Sequence, residues 1–314
     1  MSIRRNSINN TTVIINKKRA ERPVELKSEN KKEEKVQYEK ECPFCIGNEY
    51  RTPAVIYDTK EPYHVRVSEN KYPIVKEKSM DNNEVFGHHY VVIEGKNHSD
   101  NMHEFTKEQM REIIKAYKNT VYKLYENEDI KYVQIFKNCG KDSGASLKHP
   151  HSQIVGINIV PDEISREIKG TKKYYEENKE CFYCSRLKKE VQYKKRIIHI
   201  GKYFTAFCPY DSTYQYKVTI MKNQHQSNFG LDELEMMELG EIITLILKKL
   251  NNISYNCSYN MCFHFLKEEN EFYHFYVDII PRLNPMGGFE LGTGIMINTV
   301  DPEVAAEIFR NIQL

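Results

Sequence analysis

The chain has 314 residues, 40% of them apolar, which is enough to fill the core of one large domain or two ordinary ones. Lysine and arginine total 46 against 44 for aspartate and glutamate, so the composition provides no basic field for nucleic acid. No apolar run approaches about 18 residues, and the apolar stretch near the start is too short for a signal peptide. These features predict a folded cytoplasmic protein with reduced cysteines.

Two Cys-x-x-Cys pairs, Cys42/Cys45 and Cys181/Cys184, each begin a similar run of sequence. In chain order, the first run predicts a β-rich stretch that ends in the strand 90–93, then a loop with one histidine, His98. A capped amphipathic helix follows at 105–125, and two further strands at 132–138 and HPHSQIVGINIV. The second run repeats these features at 217–221, His225, 232–250, 260–266 and YHFYVDIIPR. The matching order indicates an internal repeat.

The repeat predicts an α+β fold of two tandem halves, 1–164 and 165–314. Each half is expected to be an antiparallel sheet with a packed helix, in the order β, β, α, β, β. The charged stretch at 165–179 would join the halves, and a second charged stretch at 25–41 is predicted to be a solvated linker.

A Cys-x-x-Cys pair with two later histidines offers two thiolates and two neutral imidazoles, a closed tetrahedral set that suits zinc. The repeat predicts two such sets with a structural role: Cys42, Cys45, His98 and His149 in the first half, and Cys181, Cys184, His225 and His274 in the second. A nucleic-acid-binding zinc ribbon would have the same ligand types. Here the ligands of each set spread over about a hundred residues with no basic patch around them, which disfavours that class.

The stretch GASLKHPHSQI places His149 and His151 on one face of a strand, because residues i and i+2 point to the same side. Pro150 favours an edge or terminal strand position, and the small residues before it can form a loop that holds phosphate through backbone N–H groups. If His149 binds metal, His151 is left to attack phosphorus as a nucleophile. The alternative is a satisfied structural histidine. The second half has Tyr276 at the matching position, which predicts one active centre per chain.

The segments CPFCIGNE and NCGKDSGASLKHPHSQ, together with the repeat, resemble galactose-1-phosphate uridylyltransferases and their relatives, including ADP-glucose phosphorylases, within the histidine-triad superfamily. The similarity extends from about Arg19 to the C-terminus. It implies ping-pong transfer in which His151 takes a nucleoside monophosphate from a nucleotide sugar and a second phosphate acceptor removes it. It also implies that Gln153 donates to the phosphoryl oxygens and that a phosphate loop contains Asn138, Gly144 and Ser146.

The resemblance extends to residues farther from this motif. It implies nucleotide contacts for Arg19, Arg22 and Asn70, and a sugar-phosphate segment at 288–294 with Phe289, Glu290 and Gly292. That glycine-rich segment could also be a plain turn. Family members are commonly dimers, which is the only ground for expecting a homodimer. The chain departs from the well-studied uridylyltransferases at Ser152 and Tyr276, which brings it nearer the branch that includes the phosphorylases.

The leading prediction is a nucleotidylyltransferase that moves UMP between a nucleotide sugar and hexose 1-phosphate. Glutamine at position 153 cannot supply a proton, and a phosphate leaving group hardly needs one, so transfer is favoured over hydrolysis. The first alternative is a nucleotide-sugar phosphorylase or a nucleotide hydrolase that uses the same histidine. A second alternative, of another class, is an inactive zinc-stabilised binding protein.

Overall fold

The structure is a computed structural model that describes residues 1–18, 35–77 and 85–314. Two strands at the N-terminus are followed by the elements of the first half: β1 (Ser2–Arg5), β2 (Thr12–Ile15), β3 (Val55–Asp58), β4 (Arg66–Glu69), β5 (Gly87–Ile93), α1 (Lys107–Tyr125), β6 (Tyr132–Cys139) and β7 (His151–Ile157). Short 3-10 turns lie at Glu49–Arg51, Met102–Glu104 and Lys141–Ser143.

The second half begins with two helices and ends with a third: α2 (Asp162–Asn178), α3 (Phe182–Tyr193), β8 (Ile197–Ile200), β9 (Phe204–Phe207), β10 (Val218–Lys222), α4 (Glu233–Ile253), β11 (Tyr259–His264), β12 (Tyr276–Pro281), α5 (Gly288–Thr293), β13 (Met296–Asn298) and α6 (Pro302–Asn311). The boundary predicted at 164/165 falls in the first turn of α2 and stays a proposal.

Ten antiparallel strands form one sheet in the order β3-β4-β5-β7-β6-β11-β12-β10-β9-β8. From one edge to the centre, the sheet contains β3, β4, β5, β7 and β6 of the first half. From the other edge, it contains the corresponding strands of the second half in the same order, β8, β9, β10, β12 and β11, which confirms the predicted α+β repeat. Two details differ from the prediction. Each half has three strands before its long helix, and the two sheets are continuous because β6 pairs with β11, with Asn138 opposite Asn260.

The two long helices pack against each other on one face of this sheet. Thr106 caps α1 by accepting the Gln109 backbone N–H, and Asp232 with Glu235 forms a full capping box on α4. The crossing is close because α4 has Gly240 there: a Cβ on this residue would lie 2.6 Å from the Met110 Cβ.

A separate three-stranded sheet, in the order β1-β2-β13, ties the N-terminus to the segment that follows α5. The charged stretch predicted as a linker at 25–41 lies outside the described residues as far as residue 34, and its described part is held by hydrogen bonds to the first half. His98 and Ser99 donate their backbone N–H groups to the carbonyls of Gln37 and Val36. Within the described residues, none of the helices is long and apolar enough to span a bilayer.

Candidate active site and metal centres

The structure brings all four residues of the first predicted metal set together. The potential ligand atoms of Cys42, Cys45, His98 and His149 lie within 4.8 Å of one another, all four residues are buried, and the Cys45 Sγ lies 3.6 Å from His98 Nδ1 and 3.7 Å from His149 Nδ1. Tetrahedral zinc with ordinary bond lengths separates a sulfur and a nitrogen ligand by about 3.6 Å. The spacing therefore fits an ion of this kind.

Hydrogen bonds around the histidines fix which ring nitrogen can bind metal. His149 Nε2 lies 2.9 Å from the Gly95 carbonyl, so this nitrogen carries the proton and donates it, and Nδ1 is free to bind metal. Burial lowers the pKa of His149 to about 4 and also lowers the pKa of His98, which keeps both rings in the neutral form that a metal needs. The backbone N–H of Glu39 lies 3.3 Å from the Cys45 sulfur.

The second set has a similar ligand geometry but is less buried, since Cys184 is half-buried and His225 is exposed. The potential ligand atoms of Cys181, Cys184, His225 and His274 again lie within 4.8 Å, with the Cys184 Sγ 3.3 Å from His225 Nδ1 and 3.5 Å from His274 Nδ1. His225 and His274 donate from Nε2 to the carbonyls of Asn270 and Lys222 at 3.0 and 2.8 Å. The protein thus has two Cys2His2 groups that could each hold a metal ion, one in each half.

A cleft of about 630 Å³ lies between the start of β7 and residues of the second half. Its walls contain His151 and Ser146, together with the C-terminal part of α4 and the turn before β11. Among the described residues that line it, cationic side chains outnumber carboxylates five to two: Lys35, Lys137, Lys141, Lys148 and Arg282 against Asp100 and Asp142. Two of the five, Lys35 and Lys137, form ion pairs with Glu104 and Glu94. This excess suits an anionic ligand.

His151 is held in a defined tautomer at the start of β7. Its Nδ1 lies 2.8 Å from the His149 carbonyl, so Nδ1 carries the proton and Nε2 keeps the lone pair that a nucleophile needs. Burial lowers the pKa of His151, and the positive charge of Lys137 adds to this effect. The Phe44 ring packs against the imidazole, with centroids 5.3 Å apart. The ring is therefore neutral at pH 7 and fixed in orientation.

Two amide side chains share the sheet face of His151. Gln153 lies two residues further along β7, and its partner across the sheet is Phe136 on β6. Asn138 is two residues beyond Phe136, towards the end where β7 begins, so the alternation of side chains places it beside His151. The structure therefore brings the predicted nucleophile together with two of its predicted phosphate contacts.

The loop before β7 owes its path to two glycines with positive φ. A Cβ on Gly140, at φ +82°, would lie 2.3 Å from the Ser258 Oγ and 2.9 Å from the Ser258 Cα. Gly144, at φ +86°, ends the 3-10 turn in a left-handed conformation. Ser146 is exposed and lines the cleft. The predicted phosphate loop thus passes directly over the junction between the two halves.

The remaining predicted residues lie next to the site, away from it or outside the described residues. Asn70 lies beside Gln153, since both contact the imidazole of His89. Phe289, Glu290 and Gly292 belong to α5, and the structure does not bring them to the cleft of their own chain. Arg19 and Arg22 lie outside the described residues.

Three residues of the site were missed by the sequence analysis: His89, Lys137 and Arg282. His89 contacts Gln153, Lys137 contacts the His151 carbonyl, and Arg282 lines the cleft from the end of β12. The only available signal was that Lys137 is a charged residue within an apolar strand pattern, which is unusual without a buried partner.

Ser152 lies between His151 and Gln153 in the motif but does not line the cleft. Because it lies between His151 and Gln153, its side chain points to the opposite face, where it is buried against α1. Its hydroxyl lies 2.7 Å from the Tyr117 hydroxyl and also bonds the Glu94 carboxylate. Ser152 therefore belongs to the core.

Glu94 is also the partner of Lys137. The Lys137 Nζ lies 2.5 Å from a Glu94 carboxylate oxygen and 3.0 Å from the His151 carbonyl, and the two side chains are 3% and 0% exposed. Replacing Lys137 by methionine leaves this carboxylate buried without its counter-charge. We expect this change to lower the free energy of unfolding by roughly 3 to 5 kcal/mol, measured by urea denaturation.

The matched control for this prediction is the double variant Glu94→Gln with Lys137→Met. It removes both charges and keeps an oxygen that can accept from Tyr117 and Ser152, so it should be destabilised less than the single variant. A double variant as unstable as Lys137→Met alone would contradict the importance of the buried ion pair.

The second half has no nucleophile at the corresponding place. The counterparts of His151 and Gln153 on β12 are Tyr276 and Asp278, and Lys217 pairs with Asp278 at 2.7 Å. Glu167 of α2 accepts from the Tyr276 hydroxyl at 2.8 Å, and His264 stacks on the Tyr276 ring with centroids 4.3 Å apart. In the second half, the side chains of Glu167 and His264 therefore pack around Tyr276, at the place that corresponds to His151.

Comparison with known proteins agrees with this geometry. The chain is 31% identical to an ADP-glucose phosphorylase of Arabidopsis thaliana, with 99% of this chain and 93% of the relative aligned. It is 27% identical to a galactose-1-phosphate uridylyltransferase of Thermotoga maritima, with 100% and 99% aligned. The chain belongs to the galactose-1-phosphate uridylyltransferase family. This confirms the predicted resemblance and the prediction of an enzyme of the transferase type.

Solved structures of the family have the same fold. The crystal structure of an ADP-glucose phosphorylase from Arabidopsis thaliana with bound ADP-glucose superimposes with a TM-score of 0.87 at 30% identity, covering 100% of this chain and 99% of that one. Residues 25–160 also match a family model described as the N-terminal domain of DUF4931, a domain of unknown function. The predicted transferase and its phosphorylase alternative are both activities named within this one family.

Proposed function

We propose that this protein transfers a nucleoside monophosphate from a nucleotide sugar to a phosphate acceptor through a covalent intermediate on His151. The observation that carries the proposal is the imidazole of His151, whose Nδ1–H is bonded to the His149 carbonyl and whose Nε2 is therefore unprotonated. This imidazole lies in a cationic cleft beside the amides of Asn138 and Gln153.

In the first step, the Nε2 lone pair of His151 bonds to the α-phosphorus of the nucleotide sugar. The bond from this phosphorus to the bridging oxygen breaks, and hexose 1-phosphate leaves with the electron pair. In the second step, a phosphate oxygen of the acceptor attacks the same phosphorus, and the P–N bond breaks to restore neutral His151. Charge that builds on the phosphoryl oxygens would be stabilised by the Asn138 and Gln153 amides.

The phosphate leaving group explains why glutamine is sufficient at position 153. Hexose 1-phosphate leaves as a stable anion and needs no proton from the enzyme, whereas departure of an alkoxide would need a general acid. The neighbour of Gln153 is His89, whose pKa is lowered by burial, so it too is a poor proton donor at neutral pH. The site is therefore suited to exchange between phosphates.

Two acceptors fit this chemistry. Hexose 1-phosphate as acceptor gives a uridylyltransferase, which is the leading proposal. Inorganic phosphate as acceptor gives an ADP-glucose phosphorylase, and the specific support for this second candidate is the 31% identity to the Arabidopsis thaliana phosphorylase across almost the whole chain.

A substrate panel tests the proposal. The protein is incubated with UDP-glucose or ADP-glucose, and with galactose 1-phosphate, inorganic phosphate or neither, and the nucleotide products are separated. We expect turnover with a phosphate acceptor and almost none with water alone. Turnover with inorganic phosphate but not with galactose 1-phosphate would select the phosphorylase, and turnover in water without any acceptor would overturn the transferase.

The lowered pKa of His151 predicts a distinct pH profile. Protonation removes the Nε2 lone pair, and a lowered pKa moves this loss to more acidic pH than for an ordinary histidine at about 6.5. We expect kcat/KM for formation of the intermediate from a nucleotide sugar to fall on acidification with a midpoint below about 6.5. The acceptor is omitted because its own phosphate titrates in this range.

Circular dichroism and metal content are followed across the same pH range, so that unfolding is not mistaken for titration of the nucleophile. An acid limb with a midpoint above about 6.5, in protein that remains folded and metal-bound, would contradict the lowered pKa.

We propose that both Cys2His2 groups hold zinc with a structural role. When bound, zinc would fix the ligands of each set as thiolates and neutral imidazoles and leave no open position for substrate. None of the eight cysteines forms a disulfide, and thiolate ligands must be reduced in this way to bind metal. Reduced cysteines are usual in the cytoplasm, and we propose that location for the protein.

We propose that the protein is a homodimer in which α5 of one copy completes the cleft of the other. The predicted sugar-phosphate residues on α5 do not reach the cleft of their own chain, and this short helix exposes Phe289 and Leu291 by 46% and 71%. Light scattering measures the oligomeric state, and a catalytically active monomer would exclude this arrangement.

A further inference from the structure

We propose that Asn260 and His89 are positioning residues that orient the two amide donors beside His151. Asn260 orients the amide of Asn138, and His89 orients the amide of Gln153. The inference rests on the proposed function and deepens it, because it explains how two side-chain amides, whose ends have nearly the same shape, present nitrogen rather than oxygen to a phosphoryl group.

The orientation of Asn138 follows from a carbonyl that can only accept. The Asn260 Nδ2 lies 2.9 Å from the Ser143 carbonyl oxygen and 2.8 Å from the Asn138 Oδ1. Because the Ser143 carbonyl needs a donor, the Asn260 atom facing it is the amide nitrogen. The same nitrogen donates to Asn138, so the end of Asn138 that faces Asn260 is the oxygen. The Asn138 NH2 group is therefore turned away from Asn260.

The NH2 group of Asn138 points towards the loop before β7. It lies 3.9 Å from the position that a Cβ on Gly144 would take, so it faces the backbone of the predicted phosphate loop. Asn138 also lines the cleft that contains His151. The amide nitrogen is thus held on the side from which an anionic group would approach.

The orientation of Gln153 follows from a backbone group that can only donate. The Ile74 N–H donates to His89 Nδ1 at 3.1 Å, so Nδ1 carries no proton. The neutral ring must then carry its proton on Nε2, which lies 2.8 Å from the Gln153 Oε1 and donates to it. The Asn70 Nδ2 also lies 3.2 Å from Nε2, but the fixed backbone donor decides the tautomer.

Both contacts have the same effect on the site. Each one occupies the oxygen of an amide on the face of His151 with a hydrogen-bond donor, which leaves the nitrogen to donate to the phosphoryl oxygens. Asn260 lies on β11, opposite Asn138 on β6, at the strand pair that joins the halves. The second half therefore contributes directly to the order of the site, although it has no nucleophile of its own.

The test is the rate at which full-length protein forms the covalent intermediate in a single turnover with a nucleotide sugar labelled in its α-phosphate. Asn260→Ala and His89→Phe are each expected to slow this step by about 10- to 100-fold, less than or equal to the loss of one such donor. The burst amplitude should stay near one label per active site, and KM should change little. The burst amplitude measures the fraction of protein that is folded, and the rate depends on the orientation of the amides. The two readouts therefore distinguish a misfolded variant from one with a misoriented amide.

Double-mutant cycles show whether each residue acts through its amide. If Asn260 works by orienting Asn138, Asn138→Ala with Asn260→Ala should be no slower than Asn138→Ala alone, and Gln153→Ala with His89→Phe should match Gln153→Ala. Asn260→Asp keeps the shape of the side chain but can only accept hydrogen bonds, so formation of the intermediate should be slow in this variant as well. It provides a second test in case Asn260→Ala folds poorly. Cys262→Ala on β11 and His88→Gln on β5 are matched controls with unchanged rates.

Unchanged rates in Asn260→Ala and His89→Phe would overturn the inference, and so would effects that add fully to those of Asn138→Ala and Gln153→Ala. A wild-type protein that turns over nucleotide sugar without any covalent label would overturn the proposed mechanism and this inference with it. A labelled wild type with unaffected variants would overturn the inference alone.

Discussion

Replacing His151 by glycine is expected to lower kcat for nucleotidyl transfer by at least about 10⁴-fold, because the step-by-step route through the covalent intermediate is lost. His151 is the group in the cleft whose imidazole has a fixed proton on Nδ1 and a lone pair on Nε2. The variant should still bind nucleotide sugar, since Asn138, Gln153 and the cationic side chains remain. Steady-state kinetics and equilibrium binding by calorimetry measure the two effects separately.

The matched control is Tyr276→Phe, at the counterpart position of the second half. This change removes a hydroxyl that donates to Glu167 at 2.8 Å, and it should leave kcat within about twofold. Both variants should retain their metal and their circular dichroism spectrum. If His151→Gly kept more than about a hundredth of the wild-type rate, another residue would have to be the nucleophile.

Loss of the first metal group is expected to affect both stability and activity. Cys45 is fully buried and its sulfur lies near His98 and His149, so Cys45→Ser should lower the metal content from two ions per chain to one. Structural zinc contributes several kcal/mol to folding, so Tm should fall by about 10 °C or more. The nucleophile is also affected, because the His149 carbonyl accepts its Nδ1–H. We expect an activity loss of about 100-fold or more.

Cys184→Ser is the matched variant in the second group. It should also remove one ion and lower Tm, but activity measured below the new Tm should fall by less than about tenfold, because none of the four residues of this group lines the cleft. Metal analysis, differential scanning calorimetry and the transfer assay follow the two variants in parallel. Equal losses of activity in both would contradict the separation of structural and catalytic roles between the halves.

The sequence was sufficient to predict the repeat and the two Cys2His2 groups, because ligand identity and spacing are visible in the chain order. The same comparison distinguished His151 from His149, since only His149 has a histidine counterpart in the second half. The two long helices, α1 and α4, were predictable from the spacing of apolar residues, and α1 also from the cap at Thr106. These are local signals that a single sequence contains.

The junction between the halves was not predictable in the same way. Pairing of β6 with β11 depends on two strand edges that meet in space, and nothing in the pattern of either strand specifies its neighbour. This pairing creates the contact between Asn260 and Asn138. His89 was missed for a similar reason, because its role depends on the strand order that places β5 beside β7. The position of Ser152 on the helix face follows from the same alternation that places His149 and His151 on one face, but its buried partners Tyr117 and Glu94 depend on the tertiary fold.

The most direct test of the central claim is to find the covalent intermediate and the residue that holds it. Wild-type protein is incubated with a nucleotide sugar labelled in its α-phosphate, without acceptor, and the labelled peptide is identified by mass spectrometry. We predict an alkali-stable, acid-labile nucleotidyl group on His151 that is released as a nucleotide product when hexose 1-phosphate or inorganic phosphate is added. A label on another residue, or product formation with no label at any time, would contradict the account.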